Sequence, residues 1–317
     1  MRGENVGWDT SEYINIYNLT ANGIILPRIE PLYVLLMQLC LKLSSNSQVL
    51  FAVSSAIVYT GIGFFILNNM PDGESAFWPV FLFIVLGELF NTMNLLRQSL
   101  AIAFGCNIYT ILNRRGVNWK TIAVSVVLTY ISFEFHRTGI LCALIIIPFL
   151  VRINRKLVCV FFAAAIGTFL LYPVLIRIVL IFYPSYGWYL QSMWGSAATP
   201  RFYLIIAAIE LLITGLTIAY IDHQCNGNQR LYRLLVFAMY SFALILLQFR
   251  IFLAVRIGYY FELFLILLIP EFIHRLSDLR TNIMAKMTAF SMGWIYFLYI
   301  LSGTHSKGCV PYLFFWQ

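Results

Sequence analysis

The chain has 317 residues, of which 61% are hydrophobic and 11% are charged, and its mean hydropathy is +0.83. Soluble domains usually carry about 25% charged residues, so this composition excludes an ordinary water-soluble fold. The formal net charge of +8 does not indicate nucleic-acid binding, because the basic residues lie singly or in short loops between apolar runs.

Ten apolar segments predict an all-α fold, a polytopic transmembrane helical bundle of about ten spans. They cover residues 47–67, 78–93, 96–112, 120–134, 137–151, 157–177, 203–221, 231–248, 257–273 and 287–302. A helix needs about 20 mainly apolar residues to cross the hydrocarbon core of a bilayer. A single transmembrane domain over residues 1–317 therefore accounts for the whole length. Residues 1–29 are predicted to form an outer N-terminal segment, and the stretch at 31–43 an interfacial or re-entrant helix.

The two segments beside Glu134–Arg137 are short for a bilayer. They share only about 30 residues between basic loops, whereas two full spans need about 40. We therefore expect either short helices or a re-entrant pair near the outer face. Irregular backbone at membrane depth is tolerated where protein or a wet cavity surrounds it, so such a pair would line a site.

Four compact basic loops predict the orientation of the chain. They lie at residues 113–120, 152–156, 224–233 and 274–286. By the positive-inside rule these loops are cytoplasmic, and they alternate consistently along the ten predicted spans. The opposite loop ends, which include residues 91–97, 134–137 and 248–256, are then predicted to lie outside.

Isolated arginines at the predicted outer ends form a candidate site. They are Arg97, Arg137, Arg250 and Arg256. An ionisable side chain at the bilayer centre costs about 3 kcal/mol, so several at one depth must be paired or must bind a charged ligand. Guanidinium groups bind phosphate bidentately, which favours an anion site. In the alternative, Arg97 and Arg256 form structural ion pairs, with Glu88 or Glu262 as the partners.

Six short motifs follow one another along nearly the whole chain. They are RGENVGWDTSEY at residues 2–13, EPLY at 30–33, RQ at 97–98, FH at 135–136, RxxYYF at 256–261 and PY at 311–312. In this order they resemble the EpsG family of Wzy-type polysaccharide polymerases. The sequence departs from the family at Arg137, where a small or neutral residue is expected. Family members also usually carry one or two hydrophobic segments before the first motif, which raises the expectation of a span upstream of Met1.

The resemblance implies a glycosyltransferase, a polysaccharide polymerase of the bacterial cytoplasmic (inner) membrane. Its substrate would be an oligosaccharide repeat unit carried on a polyprenyl diphosphate such as undecaprenyl diphosphate. The product would be a surface polysaccharide such as O-antigen, capsule or exopolysaccharide. The implied partners are this lipid-linked oligosaccharide, membrane lipid and other polysaccharide-assembly proteins, with no nucleic acid.

The chemistry of such a polymerase suggests roles for individual residues. Arg97, Arg250 and Arg256 would stabilise the leaving diphosphate. His136 would act as the base at the acceptor hydroxyl, a role that Asp9 or Glu134 could take instead. The predicted substrate-binding residues are Asp9, Tyr13, Gln98, Glu134, Arg137, Arg250 and Tyr259. No D-x-D or H-E-x-x-H motif is present, so we expect neither a metal ion nor a cofactor.

Other membrane functions also fit the composition. A flippase for lipid-linked oligosaccharide would need a similar number of spans, although transporters usually show paired repeats and none is visible in this sequence. A membrane ligase or acyltransferase would share Arg and His at the outer face. The products discriminate among them: loss of a polymerase leaves single repeat units, loss of a ligase leaves unattached polymer, and loss of an acyltransferase leaves polymer of normal length without an ester.

Overall fold

The computed structural model describes residues 3–71, 73–182, 228–251, 254–302 and 306–314, with residue 316 and scattered residues between 184 and 219. This part of the chain is helical and contains no β-strand, which confirms the all-α prediction. It divides into two compact units. The first unit is Met1–Leu150 with Ala285–Gln317, and the second is Val151–Met284.

The helices of the first unit start with α1 in the predicted outer segment. They are α1 (Thr10–Ala21), α2 (Pro31–Leu41), α3 (Gln48–Asn68), α4 (Phe77–Val85), α5 (Glu88–Asn94), α6 (Leu96–Arg115) and α7 (Trp119–Phe135). A 3₁₀ helix, η1 (Arg137–Ile145), and the short α8 (Ile147–Leu150) follow.

The second unit contains helices of 9 to 19 residues, and its first two helices meet at an angle of 77°. Its helices are α9 (Arg155–Leu170), α10 (Tyr172–Phe182), α11 (Gln229–Leu247), α12 (Ala254–Glu262) and α13 (Leu265–His274). The last helix, α14 (Leu279–Leu301), begins in the second unit and ends in the first. Asp278 precedes it and accepts hydrogen bonds from the Thr281 hydroxyl (2.6 Å) and backbone N–H (2.8 Å), and these bonds lower the pKa of Asp278.

Four helical stretches are long and apolar enough to cross a membrane. They are Gln48–Asn68, Gln229–Leu247, Ala254–His274 and Leu279–Leu301. Two bent pairs, Phe77–Val85 with Glu88–Asn94 and Arg155–Leu170 with Tyr172–Ile181, raise the number to six if each pair is one span. The described residues therefore fit a multi-pass membrane protein, but the prediction of about ten spans is not confirmed. The predicted span at 203–221 lies partly outside the described residues.

The predicted span at 78–93 is broken into α4 and α5, which meet at an angle of 62°. Gly87 lies between them with φ +84°, a left-handed conformation that glycine adopts without a steric penalty. A second break at Leu95 separates α5 from α6. The chain therefore turns a corner just before Arg97, which is the second residue of α6.

The segment after α7 packs tightly against α6 and α7. The Ser132 hydroxyl donates to the Ala101 carbonyl at 2.9 Å, which joins α7 to α6. A Cβ added to Gly139 would lie 2.3 Å from the Ser132 carbonyl oxygen, so only glycine permits this approach of η1 to α7. The helices on either side of the turn at residues 136–137 are shorter than a full span, as predicted, and the choice between short spans and a re-entrant pair stays a prediction.

Helices α3 and α6 run in the same direction, because three contacts follow the same order along both. The Asn107 amide donates to the Gly61 carbonyl (3.0 Å), the Phe65 and Tyr109 rings meet edge to face, and the Asn69 amide donates to the Thr110 hydroxyl (2.7 Å). Both helices therefore end on the same side of the first unit. Arg114 bonds to the Asn68 side chain at that end, and it belongs to a basic loop predicted to be cytoplasmic.

Candidate functional site

A buried carboxylate, Glu30, joins two segments that are far apart in sequence. Its Oε2 atom accepts a hydrogen bond from Arg97 Nη1 at 2.6 Å, and its Oε1 atom accepts one from the Arg137 backbone N–H at 3.2 Å. The Glu30 side chain is only 5% exposed. It directly precedes Pro31, a residue favoured in the first turn of a helix, so the start of α2 fixes its position.

We call the group formed by Glu30, Arg97, His136 and Arg137 the Glu30 cluster. The Arg97 side chain stays 24% exposed although it forms an ion pair with Glu30. Its Nε atom is buried and has no hydrogen-bond partner among the described residues. The exposed part of the Arg97 side chain is thus accessible to a ligand while the guanidinium stays paired with Glu30, but the buried Nε is not.

His136 lies in the extended turn between α7 and η1. Its Nδ1 atom shares a hydrogen bond with the Thr138 hydroxyl at 2.6 Å, and its carbonyl accepts from the Gly139 N–H at 2.7 Å. The residue is half-buried. Because Nδ1 bonds to Thr138, proton exchange with a substrate would involve Nε2.

The two residues beside His136 have different surroundings. The Phe135 ring stacks on Phe104 of α6, with ring centroids 5.5 Å apart. The Arg137 side chain is exposed, and its guanidinium lies 4.7 Å from the centre of the Phe133 ring. Arg137 therefore binds Glu30 through its backbone only, and its positive charge faces outward from the protein. Glu134 is half-buried.

Tyr13 and Tyr33 lie next to the Glu30 cluster. Their rings meet edge to face with centroids 6.2 Å apart, and both interact electrostatically with Arg97. The Asp9 backbone N–H donates to the Asn94 side chain at 3.1 Å, which attaches the N-terminal segment to the corner between α5 and α6. Two predicted site residues of this segment, Asp9 and Tyr13, are thus brought close to the start of α6. Gln98, the neighbour of Arg97, is buried.

The ion pair that was the structural alternative for Arg97 is confirmed, but its partner is Glu30 rather than Glu88 or Glu262. The Glu88 carboxylate accepts instead from the Asn91 amide at 3.2 Å, and Asn91 in turn accepts from Lys307. Lys307 belongs to the C-terminal segment, which pairs with the N-terminal one through backbone bonds such as Gly7 N–H to the Gly308 carbonyl (2.8 Å). Both terminal segments of the described chain therefore pack at the α5 corner.

Three predicted site residues lie in the second unit. Arg250 follows α11, is exposed, and places its guanidinium 4.7 Å from the centre of the Phe169 ring. Arg256 is half-buried in α12, and Tyr259 lies buried one turn later on the same helix. The convergence of all four arginines on one ligand stays a prediction, and so does the partner of Arg256.

Sequence reasoning did not assign Glu30 to the site. The residue was noted only as part of the EPLY motif, although a carboxylate beside an apolar helix is itself a sign of a buried partner. Within the described part of the chain, no three His, Cys, Asp or Glu side chains lie close enough together to share a metal ion. The groups that the first unit brings together are a partly exposed guanidinium, a fixed carboxylate and an imidazole, which suit anion binding with proton transfer.

Comparison with known protein families gave one match. The model of the EpsG family, which comprises the Wzy/EpsG-type polymerases, matches residues 1–314 of the chain. No curated protein and no solved structure matches it significantly. The family match covers both units and includes every residue of the Glu30 cluster.

Proposed function

The chain belongs to the EpsG family, and we propose that it joins polyprenyl-diphosphate-linked oligosaccharide repeat units into a surface polysaccharide, with the Glu30 cluster as its reaction site. The family match supports a membrane polysaccharide polymerase in general terms. The observation that supports this particular site is the Glu30 carboxylate, which joins Arg97 to the turn that carries His136.

The proposed reaction transfers the growing chain from its lipid carrier to the incoming unit. A hydroxyl of the incoming repeat unit attacks the anomeric carbon of the growing chain, and the bond from that carbon to the diphosphate oxygen breaks. Negative charge develops on the leaving diphosphate while the sugar becomes oxocarbenium-like. A base must accept the proton of the attacking hydroxyl.

Each residue of the cluster has a proposed task in this reaction. The Arg97 guanidinium stabilises the charge on the leaving diphosphate, and Glu30 holds that guanidinium in place. His136 accepts the hydroxyl proton. The residues proposed to bind substrate are Asp9, Tyr13, Gln98, Glu134, Arg137, Arg250 and Tyr259, and Arg256 is proposed as a second cation for the diphosphate.

The direction of α6 supports a reaction on the outer face of the membrane. Arg97 begins this helix, and the basic residues Arg114 and Arg115 end it. At a rise of 1.5 Å per residue, Arg97 and Arg115 lie roughly 27 Å apart, close to the thickness of a hydrocarbon core. Because the basic end is expected in the cytoplasm, the Glu30 cluster is expected outside.

The proposal is tested by Arg97→Ala and His136→Ala variants in the native strain, with the length distribution of the polysaccharide as readout. We expect both variants to leave single repeat units in place of a ladder, at normal membrane abundance. Arg28→Ala is the matched control, because Arg28 forms an exposed ion pair with Glu12 outside the cluster, and it should keep the ladder. Normal ladders from both site variants would refute the site, and translocation of the lipid-linked unit without chain growth by the purified chain would favour a flippase.

A further inference from the structure

An apolar groove of about 580 Å³ lies between α3, α6 and α7 of the first unit. Its walls include Ala56 and Phe64 of α3, Phe104 and Ile111 of α6, and Leu128 of α7. The volume is in the range of small-molecule sites, about 300–1,000 Å³. The groove also contains Asn107, but its amide donates to the carbonyls of α3 and α6, so the surface that remains is almost entirely hydrocarbon.

The groove begins beneath the Glu30 cluster. Arg97, Phe104 and Ile111 follow one another at intervals of seven residues, which places them on one face of α6. Phe104 is therefore roughly 10 Å below Arg97 along the helix axis and Ile111 roughly 21 Å below it. The same Phe104 ring stacks on Phe135, the residue before His136. The upper wall of the groove thus contacts the last residue of α7, which directly precedes His136.

We propose that this groove binds the isoprenoid tail of the lipid-linked substrate while Arg97 binds its diphosphate. The inference rests on the proposed function. A cation above a hydrocarbon groove is complementary to an amphiphile with an anionic head and an apolar chain. One groove between three helices fits the single chain of a polyprenyl lipid, whereas a phospholipid has two chains to place. The bound tail fixes the distance between the anomeric carbon and His136.

Photolabelling tests the proposal independently of polymerisation. The full chain in nanodiscs is incubated with decaprenyl diphosphate that carries a diazirine in its tail, and the labelled peptides are mapped after irradiation. We expect label on residues 56–64 of α3 and on α7. Leu128→Trp should lower the label at least about tenfold, because the indole fills space that the tail would bury.

Val126→Trp is the matched control. It introduces the same side chain two residues away on α7, at a position that is 57% exposed and does not line the groove. Its labelling should stay within about twofold of the parent chain, since the groove remains open. If Leu128→Trp reduces the amount of folded protein, Ala56→Phe fills the groove from α3 and gives the same readout.

Two results would refute the proposed tail site. The first is label that lies outside the groove in the parent chain. The second is a phosphatidylglycerol carrying a diazirine that labels these peptides as strongly as the decaprenyl probe and is not displaced by decaprenyl diphosphate. The second result would mean that ordinary bilayer lipid fills the space. The proposed function fails separately. Suppose that the chain does not polymerise repeat units but is labelled in the groove, and that Leu128→Trp loses this label. The proposed tail site would then be supported, and the proposed polymerase function would be refuted.

Discussion

The two units each contain a buried carboxylate paired with arginine, and the two pairings differ in the number of arginines that share the carboxylate. Glu271 of the second unit is fully buried and interacts with two guanidinium groups, Arg275 Nη2 at 2.8 Å and Arg230 Nε at 3.1 Å. Glu30 of the first unit interacts with one guanidinium, that of Arg97, and its other oxygen accepts from a backbone N–H. We call the Glu271 group the closed network, because both carboxylate oxygens meet arginines, and the Glu30 group the open network, because only one does.

We propose that this difference separates a structural role at Glu271 from a functional role at Glu30. Both oxygens of Glu271 are used by arginines that belong to predicted cytoplasmic loops, so the network connects the ends of α11 and α13. The Glu30 carboxylate uses one oxygen for the Arg137 backbone N–H and the other for Arg97. One arginine held near the turn of His136 suits a ligand site, whereas a carboxylate shared by two arginines suits stability.

The largest expected effect is on stability, at Glu271. Glu271→Leu leaves two partly buried guanidinium groups without their shared partner, and breaking such a pair costs about 3–5 kcal/mol. We expect a marked fall in the unfolding temperature of the purified chain and in its membrane abundance. Glu30→Leu should lower the unfolding temperature less, because it leaves one guanidinium rather than two without a carboxylate. Equal losses of stability in the two variants would remove the distinction between the networks.

The next effect is on activity, at Arg97. Arg97→Lys keeps the charge but loses the planar guanidinium, and loss of a preorganised donor costs about 10²–10³ in rate. We expect this loss in the initial rate of polymer formation, with normal membrane abundance. Arg275→Lys is the matched control in the closed network and should keep most activity. A polymerisation rate in Arg97→Lys equal to that of the parent chain would contradict the proposed role of the guanidinium.

A smaller effect is expected at Thr138, which orients the ring of His136. Thr138→Val removes one hydrogen bond while nearly keeping the side-chain volume, and such a bond contributes about 1 kcal/mol, which corresponds to roughly a fivefold loss of rate. Thr138→Ser keeps the hydroxyl and should retain most of the rate. An equal fall in rate in Thr138→Ser would indicate that Thr138 supports the turn rather than the base.

The smallest effect is expected at Arg250. Its side chain is exposed and contacts the Phe169 ring, a contact worth about 0.5–1 kcal/mol at such sites. Arg250→Ala should therefore barely change stability and should lower the polymerisation rate less than tenfold. If Arg250→Ala lowers the polymerisation rate as much as Arg97→Lys does, the reaction requires Arg250 of the second unit as much as Arg97 of the first.

The sequence predicted the helices with regular apolar runs well. The predicted segments 47–67 and 231–248 end within two residues of α3 and α11. The breaks at Gly87 and Leu171 were not predicted, because an apolar run has the same composition whether it is straight or bent. The start of α6 just before Arg97 was predicted, since a charged residue at the edge of an apolar segment marks a helix end.

The candidate site was predicted only in part, because its key contact is long-range. Arg97 and His136 stood out as ionisable residues in apolar sequence, and the structure connects both of their segments to Glu30. The Glu30–Arg97 contact spans 67 positions, and no local pattern selects Glu30 over Glu88 as the partner. The pairing depends on how α1, α2 and the α5 corner fold together, which hydropathy does not encode.

A double-mutant cycle on Glu30 and Arg97 tests the central claim most directly. The initial rate of chain growth on a defined polyprenyl-diphosphate repeat unit is measured for the purified parent chain, Glu30→Gln, Arg97→Ala and the double variant. If Glu30 acts by holding Arg97, the double variant should be no slower than Arg97→Ala alone. Losses that multiply, or a normal rate in Arg97→Ala, would contradict the account.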